Sequence, residues 1–183
     1  MMNSMKYSIK PDSALFIDRD GVINQLRPDD YVKQVSEFIL LPWVIESFKI
    51  LRPLFSKIFV VTNQQGIGKG LMIDSIEQIH EYFLNKIPEN IRPNKIYYCP
   101  HLIKENCICR KPKPGMALMA KNDFPEINLK NSIMIGDSKS DMEFALNSGI
   151  KAVFISETKK KYLDTDIPVF KNLLHFAQNI SGK

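Results

Sequence analysis

Five short runs rich in apolar and β-branched residues, at positions 14–17, 57–62, 95–98, 132–135 and 151–155, alternate with longer stretches of helical period. No other feature of the 183-residue chain constrains its fold as much. Runs of this length fit strands better than helices. The stretches 42–55, 74–87, 115–124, 138–147 and 171–179 read as helices. Pro42 suits a first helical turn. Asp74 and Glu77 have capping-box spacing. Ile76, Ile79, Phe83 and Ile87 share one helical face, and Gly149 stands where the fourth helix should stop. The alternation predicts an α/β fold: a doubly wound, Rossmann-like parallel sheet covered by helices on both faces. The length fits a single domain over residues 1–183.

Sheets of this kind bind ligands at the carboxyl ends of their strands. Asp18 and Asp20 follow the first run, Thr62 and Asn63 the second. Three cysteines and Lys111 follow the third; Asp137 and Asp141 follow the fourth. Each piece has a plain structural explanation by itself. In "FIDRDGVIN" the Asp-Gly pair is a turn former, "VVTNQQGIGKG" is a glycine loop, and Asp137 or Ser138 in "GDSKSD" suits a helix N-cap. A phosphate-binding P-loop would need glycine at 63 and serine or threonine at 70, where the chain has Asn63 and Gly70. A dinucleotide fingerprint would need glycine at 71, where Leu71 stands. What remains is a hydroxyl and an amide at a strand end, suited to holding one phosphate group. Two acids at 18 and 20 facing two more at 137 and 141 would repel one another unless a cation joined them. A hard ion such as Mg²⁺ takes oxygen ligands of this kind, and Asp137 would complete a site begun by Asp18 and Asp20.

All three cysteines of the chain, Cys99, Cys107 and Cys109, lie within eleven residues, with His101 among them. Four such ligands make a closed tetrahedral zinc site of structural type. A redox Cys-x-Cys pair and a catalytic cysteine are the alternatives.

In this order, "DRDGVIN", "VTNQQGIGKG", "CRKPKPGM" and "IGDSKSDM" resemble the four motifs of haloacid-dehalogenase-like (HAD) phosphatases. The cysteine window is similar to that of their zinc-carrying subgroup, which contains the heptose 1,7-bisphosphate and histidinol-phosphate phosphatases. The resemblance covers residues 14–150. It implies a Mg²⁺-dependent phosphomonoester hydrolase with Asp18 as nucleophile and Asp20 as general acid, then base. Mg²⁺ would be held by the Asp18 carboxylate, the Asp20 carbonyl and the Asp137 carboxylate. Thr62 and Lys111 would hold the transferring phosphoryl group, with Asn63, Arg110 and Lys69 contacting substrate. Zn²⁺ on Cys99, His101, Cys107 and Cys109 would be structural, fixing Arg110 and Lys111 over the phosphate.

Only 36 residues separate Asp20 from the second strand, so a capless, open site is expected, with selectivity left to loops 24–41, 64–72 and 101–110. The favoured reaction removes the 7-phosphate from D-glycero-D-manno-heptose 1,7-bisphosphate. The alternatives are histidinol phosphate, another sugar phosphate or a nucleic-acid end phosphate. The net charge of +5 fits an anionic partner or merely a lysine-rich surface, and the lysines at 159–161 read as a solvated turn or helix end. A non-catalytic nucleic-acid-binding module would also be basic, but the four acids would repel a phosphate backbone. No apolar run nears the roughly 18 residues that cross a membrane, and the first residues lack a signal-peptide core. The expectation is therefore a cytoplasmic monomer acting on a small phosphorylated sugar, with no nucleic-acid or membrane partner.

Overall fold

The computed structural model describes residues 8–158, 162 and 165–182; the lysines at 159–161 lie outside them. Six parallel strands form one sheet: β1 (Ala14–Ile17), β2 (Lys57–Asn63), β3 (Lys95–Cys99), β4 (Ile133–Gly136), β5 (Lys151–Ile155) and β6 (Val169–Phe170). Their order is β3-β2-β1-β4-β5-β6. The chain builds outward from β1 to β3, then crosses to the other side of β1 to lay down β4. The strand order therefore reverses between β1 and β4, where such a sheet opens a crevice.

Alternation along the strands splits the core in two. Leu15, Ile17, Ile58, Val60, Ile133 and Ile135 point to one side, where they join Val44, Phe48 and Leu51 of α1 (Val44–Leu51). Ile79 and Phe83 of α3 (Ile76–Lys86) and Leu173 and Phe176 of α6 (Leu173–Ser181) complete that layer. Ala14, Phe16, Phe59, Val61 and Met134 point the other way, against Met116 and Ala120 of α4 (Gly115–Asp123) and Phe144 and Ala145 of α5 (Lys139–Ser148). Both faces of β1 are buried, which explains its unbroken apolar run.

The strands and helices expected from the sequence are present, with shifted ends. Helix α1 is shorter than residues 42–55: Pro42 lies in the preceding turn rather than the first helical turn, and Trp43 caps the helix. The capping box of α3 is Ser75 with Gln78, not Asp74 with Glu77. Asp74 is drawn away because its carboxylate accepts the Val35 N–H at 2.7 Å, tying the helix start to the long loop after β1. The glycine-rich segment is not an open turn but a single helical turn, α2 (Gln65–Gly68). Strand β6 was not anticipated. The expected stop at Gly149 is confirmed: it caps α5 at φ +67°, in the left-handed region open to glycine.

Candidate active site

Asp18 leaves the end of β1 with its N–H bonded to the Ile135 carbonyl of β4 at 2.9 Å, which fixes it at the mouth of the crevice. Lys111 reaches the same point from the loop after β3. It is buried, and its Nζ donates to Asp18 Oδ1 and Asp141 Oδ1, both at 2.6 Å, and to the Val61 carbonyl at 2.9 Å. An ammonium has three protons, so in this state all are engaged by the protein, and a phosphoryl oxygen would have to displace one acceptor. Asp141 is fully buried in the first turn of α5, where Ser138 donates to its Oδ2 from Oγ at 2.6 Å and from N–H at 3.1 Å.

Backbone bareness makes room for this cluster. A Cβ on Gly21, whose φ is +93°, would lie 1.9 Å from Asp137 Oδ2. A Cβ on Gly136 would lie 2.3 Å from that of Asp141. Carboxylate oxygens of Asp18, Asp137 and Asp141 all fall within 4.8 Å of one another. Three carboxylates against one ammonium leave two negative charges uncompensated, which suits a divalent cation. Without one, burial and the Asp141 charge hold the Asp18 carboxyl well above its ordinary pKa, despite Lys111. Burial and Asp141 likewise push Asp137 up to about 7. Burial alone would lower Lys111, but the Asp141 and Asp18 carboxylates outweigh it and hold the ammonium well above its ordinary value.

Asp20 does not join this cluster through its side chain, contrary to the expectation that both β1 acids would face one charge site. Its two oxygens each lie 3.0 Å from Arg19 Nη2; Asn24 Nδ2 donates to Oδ1 at 2.9 Å and Gln64 Nε2 to Oδ2 at 2.8 Å. Burial pulls its pKa up, yet the Arg19 charge and these bonds outweigh burial and hold the carboxyl below its usual value. Thr62 Oγ1 sits 3.4 Å from Asp20 Oδ2 and accepts from Gln64 Nε2 at 2.7 Å. Arg19, Asn24 and Gln64 were not singled out from the sequence. The one available signal was Arg19 itself, a long cation lodged between two acids at the end of a fully apolar strand.

Asn63 clamps the Lys111 backbone at both ends, donating to its carbonyl at 3.1 Å and accepting its N–H at 3.0 Å. Its amide thus positions the lysine rather than waiting for substrate. Asp18, Asp20, Thr62, Asn63, Lys111, Asp137, Ser138 and Ser140, with Leu26, line a cavity of about 180 Å³. That is smaller than pockets that engulf whole small molecules, roughly 300–1,000 Å³, so it takes one phosphate group and leaves the rest of a ligand on the surrounding loops. Arg110 and Lys69 do not line it. Arg110 Nη1 is buried without a hydrogen-bond partner among the described residues. Lys69 Nζ bonds the Tyr31 hydroxyl at 3.2 Å and lies 5.2 Å from that ring's centre.

The second cluster lies just beyond. Cys99 Sγ is 3.3 Å from Cys107 Sγ and 3.7 Å from His101 Nδ1; Cys109 Sγ is 3.2 Å from His101 Nδ1 and 3.4 Å from Cys107 Sγ. Zinc–sulfur bonds of about 2.3 Å in a tetrahedron place sulfurs about 3.8 Å apart. Three sulfurs and a nitrogen with edges this close to that value fit Zn²⁺.

Comparison with known proteins agrees with the geometry. Residues 108–171 match the HAD-hydrolase-like family model. A D-glycero-alpha-D-manno-heptose-1,7-bisphosphate 7-phosphatase of Campylobacter jejuni is 40% identical over 162 residues, 87% of this chain and 91% of the relative. A beta-configured counterpart from Helicobacter pylori is 40% identical over 146 residues, 78% of this chain and 82% of the relative. The crystal structure of a D,D-heptose 1,7-bisphosphate phosphatase from B. bronchiseptica, complexed with magnesium and phosphate, superposes with a TM-score of 0.81 at 26% identity, covering 92% of this chain and 97% of that one. With its acids at the β1–β4 crevice and relatives matched over most of their length, the chain belongs to the heptose-1,7-bisphosphate 7-phosphatase family of HAD-like phosphatases.

Proposed function

We propose that the chain removes the 7-phosphate from D-glycero-D-manno-heptose 1,7-bisphosphate in a Mg²⁺-dependent reaction. The observation that carries this reading is the separation of two acids by environment. Asp18 sits among carboxylates and Lys111, while Asp20, two residues on, is held by its own arginine. Asp18 attacks phosphorus as the bond to the sugar oxygen breaks; Asp20, which the Arg19 charge keeps ionised in this state, takes up a proton from solvent as the substrate's phosphate enters and delivers it to that oxygen. Asp20 then takes a proton from the water that hydrolyses the aspartyl-phosphate. Lys111 anchors one oxygen of Asp18 and, with Thr62, offsets charge on the transferring group. Asp18, Asp137 and the Asp20 carbonyl would hold Mg²⁺, which supplies further charge neutralisation when bound. Cys99, His101, Cys107 and Cys109 would hold Zn²⁺ as a structural ion.

The three loops flanking the cavity support a bisphosphate. Tyr31, Gln65 and Lys69 join the first loop to the second. Gln65 Oε1 accepts the Ile103 N–H at 2.9 Å, joining the second loop to the third. Arg110 Nη1 has no hydrogen-bond partner among the described residues, and in this reading its guanidinium takes the phosphate that is not cleaved. The same reading has the protein act as a monomer in the cytoplasm. Among the described residues no helix is long and apolar enough to cross a membrane.

The test is Mg²⁺-dependent phosphate release from both anomers of heptose 1,7-bisphosphate, histidinol phosphate and fructose 1,6-bisphosphate. A preference in kcat/KM of at least about 10²-fold for a heptose, roughly 2.7 kcal/mol, is expected, with activity abolished in Asp18→Asn. A flat profile would keep the phosphatase and overturn the substrate. Gly21→Ala should cost about 10²-fold in kcat/KM and weaken Mg²⁺ activation, because the new methyl group occupies the place of the Asp137 carboxylate. A Mg²⁺ titration of that variant checks it.

A further inference from the structure

Arg19 is completely buried, and a guanidinium does not lose its proton inside a protein. One of its terminal nitrogens, Nη2, serves Asp20. The other, Nη1, lies 3.2 Å from Nε2 of His80, a residue of α3 far away in sequence. Arginine only donates, so Nε2 must offer a lone pair, and the imidazole is neutral with its proton on Nδ1. His80 is itself buried, edge-on to Tyr98 with ring centres 5.6 Å apart. Burial and the Arg19 charge lower its pKa to about 3, against the opposing pull of Asp20 and Glu77, so the ring keeps that lone pair throughout the neutral range. The Phe38 ring closes the arginine in from another side, 5.9 Å from Cζ. The guanidinium is therefore held between one carboxylate and one imidazole.

We propose that His80 is a positioning residue for phosphoryl transfer: by accepting from Arg19 it fixes the guanidinium that aims the Asp20 carboxylate. The inference rests on reading Asp20 as the general acid. Both Asp20 oxygens take bonds from Arg19, so a guanidinium released at Nη1 can rotate and carry the carboxylate with it. Asn24 and Gln64 each hold only one of those oxygens. His80 touches no reacting atom; its effect passes through Arg19.

General acid catalysis matters only where the leaving group needs a proton. A sugar alkoxide does; p-nitrophenolate does not. Measured as kcat/KM, which covers events up to the first phosphoryl transfer, the two substrates separate proton delivery from everything else. Asp20→Asn should lower kcat/KM for the sugar phosphate by about 10²–10⁴-fold, and far less for p-nitrophenyl phosphate. His80→Leu, which removes the acceptor, should lower it roughly tenfold for the sugar phosphate and leave the aryl phosphate within about twofold. His80→Gln, whose amide oxygen can accept from Arg19, should recover most of the loss. Equal losses on both substrates in His80→Leu, or no recovery in His80→Gln, would overturn the proposal while leaving the Asp20 assignment intact. An Asp20→Asn variant without the substrate split would remove the Asp20 assignment and the proposal with it. If His80→Leu does not fold, ¹⁵N NMR of the unmodified protein decides: the Nδ1–H tautomer of His80 is expected, and the Nε2–H tautomer sinks the idea.

Discussion

Lys111→Met is expected to reduce phosphate release by at least about 10³-fold and, in the absence of divalent metal, to destabilise the fold by about 3–5 kcal/mol. Both effects have one origin. The ammonium is the only cation bonded to Asp18 and Asp141 among the described residues, and both acids are buried. Methionine fills similar space but leaves these charges facing each other and Asp137. The pH dependence follows in sign. A carboxyl whose folded pKa lies above its unfolded value binds more protons folded than unfolded, so stability falls as pH rises between the two values. Asp18 and Asp137 are both raised, Asp137 to about 7. Metal-free protein should therefore lose stability from about pH 4 to 7, and the variant should lose more. Mg²⁺ should restore stability most strongly at the upper end of that range. Urea unfolding with and without Mg²⁺ at pH 5 and pH 8 measures all of this. A variant as stable at pH 8 as the parent, or one retaining a tenth of its activity, would show that Lys111 is not the charge that holds the site.

How much of this could be read beforehand depended on the kind of interaction. The five long strands were legible because each is an apolar run bounded by turn residues, and the strand-end rule then located Asp18, Thr62, Lys111 and Asp137. Strand β6 has two residues and exists only through its pairing with β5, which leaves no local trace. The capping of α3 was read one residue too early because Asp74 and Ser75 both cap well in isolation; the Val35 N–H, supplied by a distant loop, decides between them. The repulsion argument grouped Asp18, Asp137 and Asp141, which the structure brings together, but added Asp20, whose side chain is held by Arg19, Asn24 and Gln64 instead. A buried arginine looks like any other arginine in a sequence, and its pairing with Asp20 depends on where Gln64, Asn24 and His80 arrive in space. The cysteine cluster was legible because its ligands are close along the chain, so local geometry alone brings them together.

Loss of zinc from Cys99, His101, Cys107 and Cys109 should lower kcat/KM by about 10²-fold or more and cut the melting temperature, although no ligand of that cluster lines the catalytic cavity. The loop between Cys99 and Lys111 has other attachments. Asn63 makes two bonds to Lys111, Gln64 N–H bonds the Cys99 carbonyl, and Gly68 N–H bonds that of Pro100. Gln65 takes the Ile103 N–H, and Gly115 N–H bonds the Ile108 carbonyl. At about 1 kcal/mol net for each, the four that fall on residues Cys99 to Cys109 come to about 4 kcal/mol. Ordering the eleven residues from Cys99 to Cys109 costs about 11–22 kcal/mol in backbone entropy. The bonds alone leave the loop free to fray, and the roughly 10–16 kcal/mol of zinc binding in small motifs covers the difference. Lys111 follows the last ligand by two residues, so fraying reaches it directly, and the Asn63 clamp holds only the backbone of a residue whose approach has become mobile. Stripping with a thiol-compatible chelator and Cys107→Ser should give the same result: activity lost, then recovered with added Zn²⁺ in the stripped protein but not in the variant. A metal-free preparation with full activity and an unchanged melting temperature would mean that the protein contacts suffice to place Lys111 and that the cluster serves something else.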